Sequence, residues 1–197
     1  MSGNDILGYI LIIFVIVISI KMYMESEHIQ LKCVVSSVDG NQYCVRDNSK
    51  VNEASDLLAR VTNKCIKLVD YMVKNYPGDE RVQRLKDGFD PEVIRETLPN
   101  SKLTAYSENK GEKIALCLRK SKKGTSLIDL NTLTFVAIHE LAHIMTKSIG
   151  HKPEFWDNFK FLLINAEKAK LYSPVDYKKN SKPYCGMPIT DNPYYDL

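Results

Sequence analysis

From Ile6 to Ile20 the chain reads ILGYILIIFVIVISI, without a single charge, and Lys21 alone interrupts the apolar run before Met24. As a helix rising 1.5 Å per residue, this stretch would be roughly 28 Å long, close to the hydrocarbon thickness of a bilayer. A core helix of a soluble domain carries a polar face, and this one has none. The leader MSGND lacks the Lys or Arg of a secretory signal, and no small-x-small cleavage site follows the run. The expectation is a retained single-pass anchor in residues 1–27 that contacts the bilayer through residues 6–24. Lys21 would snorkel to the head groups and Tyr23 would sit at the interface. With Lys21 on one flank and only Asp5 on the other, the remaining residues, 28–197, are expected on the cytoplasmic side.

That remainder is one domain's worth of chain. With 44% hydrophobic and 26% charged residues in the whole sequence, it has the makings of a packed core. A net charge of +3 selects no class of partner. The five cysteines, Cys33, Cys44, Cys65, Cys117 and Cys185, form no CxxC pair, and an odd, unpatterned set reads as reduced thiols in a cytosolic setting.

Periodicity gives an α+β order. Asp39-Gly40 between β-rich runs marks a hairpin within 28–47. From Asn52 to Tyr76, apolar residues recur every three and four positions, a long amphipathic helix that Pro77-Gly78 ends. Short helices are expected at 79–86 and 91–97. A second hairpin turns at Asn109-Lys110-Gly111, and its second strand, KIALCL, is apolar enough to be covered on both faces. A helix over 132–148 follows, with Asn131 as N-cap and Gly150 as left-handed stop. Pro153 opens another helix to about Lys170, and the tail from Tyr172 reads as irregular.

Three of the four histidines fall within HELAHIMTKSIGHKPEFW, residues 139–156. His139 and His143 are four apart on a helix, so both imidazoles project from one face and can reach one zinc ion at about 2.0–2.1 Å. Glu140 lies about 100° round the helix, placed to reach a water rather than the metal, as a general base must be. A third ligand has to come from elsewhere. His151 follows the turn at Gly150; Glu167, on the following helix, is the alternative. The helix is otherwise apolar, and histidines within a buried helix need polar partners.

HELAH, a short turn and then HKPEFW resemble the WLM and SprT-like zinc metallopeptidases of the zincin superfamily. The resemblance covers about residues 57–170 and is specific at 139–156. It implies a compact zincin-like domain over 28–197 with its active-site segment at 131–170. It also implies His139, His143 and His151 as zinc ligands, Glu140 as catalytic acid/base, and a protein or peptide substrate. KIALCLR resembles the family's edge strand, so Lys113–Leu118 is expected to pair with an extended substrate. Phe155 and Trp156 are expected to pack behind the site. Seven residues separate His143 from His151, more than is usual in WLM proteins.

Other features have plain readings beside sharper ones. Arg119, Lys120, Lys122 and Lys123 read as a solvated basic loop, or as a contact for nucleic acid or acidic head groups. Cys185 reads as a turn residue, or as a thiolate closing the zinc site. Tyr172, Tyr177 and Tyr184 are candidates to stabilise an oxyanion. The alternative to a membrane-anchored peptidase is a non-catalytic, zinc-stabilised membrane protein of an envelope or organelle. Glu140 argues against it, because a closed structural site has four protein ligands and no use for an adjacent carboxylate.

Overall fold

A computed structural model describes residues 3–196. The expected outer ends of the two segments, Met1 and Leu197, lie outside the described residues. The elements run α1 (Gly3–Met24), α2 (Glu27–Gln30), β1 (Leu31–Val35), β2 (Gln42–Arg46), α3 (Val51–Asn75), α4 (Glu80–Gly88), β3 (Ile94–Glu96), β4 (Ala105–Glu108), β5 (Lys113–Leu116), α5 (Leu130–Met145), α6 (Pro153–Lys168), β6 (Lys182–Tyr184) and β7 (Met187–Ile189). This is the α+β class expected from the periodicities. Residues Ile6–Met24 of α1 are 0% buried and have a mean hydropathy of 2.5, long and apolar enough to cross a membrane.

The domain core lies between α3, α5 and α6 and a three-stranded sheet of order β3-β5-β4. Burial of Ala54, Leu58, Val61, Cys65, Leu68 and Met72 confirms the amphipathic reading of α3. Ile114 to Leu118 are all buried, because β5 is covered on both faces.

Strand β5 is central, however, not an edge. It pairs with β3 in parallel and β4 antiparallel, so both its edges are already hydrogen-bonded. The short helix expected at 91–97 is a single 3-10 turn, Pro91–Val93, followed by β3. Parallel pairing with β5 supplies β3 with backbone partners that no local pattern announces. The sheet's two edge strands are β3 and β4.

Two boundaries of α5 also differ from the sequence reading. Asp129, not Asn131, is the N-cap: its carboxylate accepts from the Thr132 amide at 2.9 Å and the Thr132 hydroxyl at 2.8 Å. The Asn131 amide instead exchanges hydrogen bonds with the backbone of Ser173, fastening the tail. The helix ends at Met145, and Gly150 (φ 80°) turns the chain inside the following loop.

The cysteines are not all reduced thiols. Cys33 faces Cys44 across the β1–β2 hairpin and is bonded to it, Cys117 is bonded to Cys185, and Cys65 is free and buried. Spacing could not show this, since neither pair is a local motif. Register brings the first pair together, and the tail hairpin brings the second.

The basic cluster divides in the same way. Arg119 is fully buried and pairs with Glu96 at 2.9 Å, while Arg46 pairs with the same carboxylate at 3.4 Å. A buried acid between two guanidinium groups is structural, and Arg119 is unavailable to nucleic acid or lipid.

Candidate metal centre

Helix α5 carries two of the expected ligands and α6 buttresses the third. The Nε2 atom of His151 lies 3.0 Å from that of His139 and 3.1 Å from that of His143. Two donors of a tetrahedral zinc are about 3.3 Å apart given Zn–N bonds of about 2.05 Å, so the spacing is close to what one shared ion requires. The three donor atoms lie within 4.8 Å of one another. Phe155, fully buried, packs its ring against all three imidazoles at centroid distances of 4.8, 4.4 and 4.5 Å. Trp156, the only tryptophan, donates its indole N–H to the His151 carbonyl at 3.2 Å. Phe155 thus packs behind the site as expected. Trp156 is 44% exposed and buttresses His151 from its side.

Electrostatics suits a cation. Burial and the neighbouring imidazoles push the His139 pKa down to about 3, and burial first, then His151 and Lys110, push His143 down to about 4. Burial also lowers His151. All three rings are neutral donors at pH 7. Burial alone pushes Glu140 up to about 8. Its Oε2 is buried with no hydrogen-bond partner, an orphaned carboxylate oxygen beside three converging nitrogen donors. The donor set and the orphaned oxygen both fit a zinc ion with a water on it.

The other candidates do not converge. Glu167 is exposed and accepts from the Tyr194 hydroxyl at 2.5 Å. Cys185 is tied to Cys117 and has no thiolate to offer. The Tyr184 hydroxyl is occupied by the backbone of Thr104 and Cys117, and Tyr172 accepts from Asn192. The Tyr177 hydroxyl is buried beside Thr132 and Tyr172, away from the residues that line the cleft.

The histidines and Glu140 open into a cleft of about 550 Å³. Its far wall is Leu103 and the β4 residues Ala105, Tyr106 and Ser107; Asn109 and Lys110 close one end, and Ile149 and Gly150 stand beside His151. Leu103 and Ile149 are 56% and 85% exposed, two large apolar side chains at the rim.

A protein-family comparison settles the kinship: the WLM domain matches residues 39–190. The chain belongs to the WLM domain family. Uncharacterized protein R325 of Acanthamoeba polyphaga mimivirus is 29% identical over 163 residues, covering 81% of this chain and 82% of that protein. Uncharacterized protein 136R of Invertebrate iridescent virus 6 is 37% identical over 82 residues, covering 41% of this chain and 44% of its own length. Among solved structures, Wss1 from Saccharomyces cerevisiae is similar with a TM-score of 0.49 and 19% identity, covering 64% of this chain and 86% of that one.

Sequence reasoning missed several residues that shape this WLM site. Glu154, in the first turn of α6, accepts from the Lys147 and Ser148 amides at 2.9 and 3.1 Å. Those amides hold its pKa down to about 2. It stitches the loop that carries His151 to the helix behind it. An acid in the first turn of a helix is a common pattern, but its partners here, two amides of the preceding loop, are announced by nothing local in the sequence. The wall formed by β4 was not legible, since it depends on which strand is the edge.

Proposed function

We propose that this WLM domain is a zinc-dependent peptidase, with His139, His143 and His151 holding the ion and Glu140 as general base and acid. One observation carries the reading: three imidazole nitrogens and a buried carboxylate meet at the floor of one open cleft. A zinc bound there would lower the pKa of a coordinated water toward 7 and polarise a substrate carbonyl. Glu140, kept from solvent, would accept a proton from such a water and pass it to the leaving amine. Phe155 and the indole of Trp156 keep the imidazoles oriented. An extended peptide adds to the outer edge of β4, which no strand occupies among the described residues, and this replaces the pairing expected on β5. The apolar rim at Leu103 and Ile149 favours apolar substrate side chains.

Residues 1–27 serve as a membrane anchor for the domain at 28–197, supported by a fully exposed apolar helix of bilayer length. Disulfides persist where cytosolic reductants do not reach. The two in this domain therefore favour the non-cytoplasmic face over the cytoplasmic one suggested by Lys21.

The deciding experiment is Glu140→Gln in the full chain. The variant should keep stoichiometric zinc and lose peptide cleavage by about 10²–10⁴-fold. Cleavage at the wild-type rate would remove Glu140 from the mechanism. No cleavage of any peptide by zinc-loaded wild type would favour a zinc-stabilised structural protein.

A further inference from the structure

Helix α5 ends at Met145, and its last carbonyls need partners. Two cations supply them. Lys110, at the tip of the β4–β5 hairpin, donates to the carbonyls of His143 (3.1 Å), Thr146 (2.6 Å) and Ser148 (3.0 Å). An ammonium has three protons, so this one side chain can satisfy all three acceptors. Arg84 donates to the Met145 carbonyl at 3.0 Å. The Lys110 contacts begin on a proposed zinc ligand and end three residues before the next. The hairpin tip is itself fixed. Asn109, Lys110 and Gly111 all have positive φ, and a Cβ on Gly111 would lie 1.8 Å from the Gly88 carbonyl oxygen, so the turn sits hard against the end of α4.

We propose that Lys110 is a positioning residue for the metal centre: its ammonium fixes the last turn of α5 and the start of the following loop, setting His143 and His151 at the spacing one ion requires. The proposal rests on the zinc-site reading above. It also ties the cleft wall to the metal, because the same hairpin supplies β4 and the clamp. An edge strand displaced by a poorly fitting peptide would disturb the ligands through this side chain.

The sign of the effect separates positioning from charge. A cation beside His143 repels a metal ion, so by Coulomb's law alone its removal tightens zinc binding. Loss of positioning weakens it. Lys110→Met keeps length and the same left-handed backbone requirement while deleting all three donors; Lys110→Arg keeps charge and donors. In the full chain in detergent micelles, zinc affinity is measured by chelator competition, cobalt coordination by visible absorption, and melting with zinc removed.

Lys110→Met should weaken zinc about 10–100-fold, the usual loss when a group supporting a ligand is removed. It should broaden the cobalt bands and lower zinc-free melting only slightly, since the contacts to the His143 and Ser148 carbonyls are exposed and water can replace them, and Lys110→Arg should recover most of the affinity. Unchanged or tighter zinc in Lys110→Met overturns the proposal. So does a zinc loss matched by a fall in zinc-free melting, or a Lys110→Met chain that does not fold, because either makes Lys110 a general stability determinant. Wild type without stoichiometric zinc would instead remove the metal-site reading, a failure distinct from all of these.

Discussion

The Tyr184 hydroxyl donates to the Thr104 carbonyl at 3.0 Å and accepts from the Cys117 amide at 3.1 Å. Through this one oxygen the C-terminal hairpin grips the residue before β4 and the residue after β5. The Cys117–Cys185 bond and amide contacts from Cys185 and Gly186 to the Arg119 and Lys120 carbonyls fasten the same place. The tail is thus the outer brace of the cleft wall. Tyr184→Phe keeps the ring and removes the hydroxyl, while the Cys117 amide and the Thr104 carbonyl keep their own bond at 2.9 Å, so the cost is that of a lost hydrogen bond, about 0.5–1.5 kcal/mol. Urea denaturation should show the loss. Stability equal to wild type would mean that water replaces the phenol.

Glu140 gives a pH dependence with a definite sign. Without zinc, burial raises its pKa from 4.5 to about 8. A carboxyl with a folded pKa above its unfolded value contributes its full stability below about pH 4.5 and loses it as pH rises through about 8. Gln has no charge to bury. Zinc-free Glu140→Gln should therefore gain on wild type as pH rises across that window, and zinc should narrow the gap, since a dication favours the carboxylate. His139 acts in the opposite direction, losing stability as pH falls from 6.5 toward about 3. It is present in both proteins, so the difference between their melting curves isolates Glu140. Parallel curves across the window would contradict the burial effect.

What the sequence revealed and what it hid divide along local and non-local lines. The spacing of His139 and His143, the helical period of α3 and the turn at Asn109-Lys110-Gly111 are local facts. Each appears in the structure where the pattern put it. The edge strand, the partners of Cys117 and Cys33, and the burial of Arg119 depend on contacts between distant segments. KIALCL announces a covered strand, but nothing in it says that Ile94–Glu96 will take its second edge. The basic run beginning at Arg119 looks solvated until Glu96, far back in the chain, is seen to fill the space beside the guanidinium. The N-cap of α5 moved by two residues for a related reason: Asp129 and Asn131 are both good caps, and the tail at Ser173 claims Asn131.

The Arg119–Glu96–Arg46 group predicts a contrast within one loop. Glu96 and Arg119 are almost completely buried, so Arg119→Met removes a charge partner from an acid that water cannot reach. Breaking such a pair costs roughly 3–5 kcal/mol. Lys123→Ala, at an exposed position, should stay within about 0.5 kcal/mol. Denaturation midpoints of the two variants test this, and equal midpoints would mean that Arg46 alone satisfies Glu96.

The identity of the third ligand is open to direct measurement. His151→Ala should lower zinc below one equivalent, because its Nε2 sits between those of His139 and His143. Glu167→Ala should keep zinc and lose only the contact with Tyr194. Metal analysis after dialysis distinguishes the two, and zinc retained without His151 but lost without Glu167 would transfer the role to α6.

The helix Ile6–Met24 and the two disulfides together make a prediction about topology. A fully exposed helix of this hydropathy has no core of its own to enter, so the intact chain should remain in the membrane pellet after alkaline carbonate extraction. The positive-inside tendency rests here on Lys21 alone, a single charge. Two disulfides within the domain are a constraint on the whole folded state, and the cytosolic thiol pool works against both. The domain should therefore lie on the side away from the cytosol. In sealed membrane vesicles with their cytosolic face outward, protease added outside should leave 28–197 intact, and detergent should expose it. Peptide mapping without reduction should join Cys33 to Cys44 and Cys117 to Cys185, leaving Cys65 as the free thiol. Digestion of the domain in intact vesicles would place it in the cytosol; free thiols at all five cysteines would remove the argument for the other side.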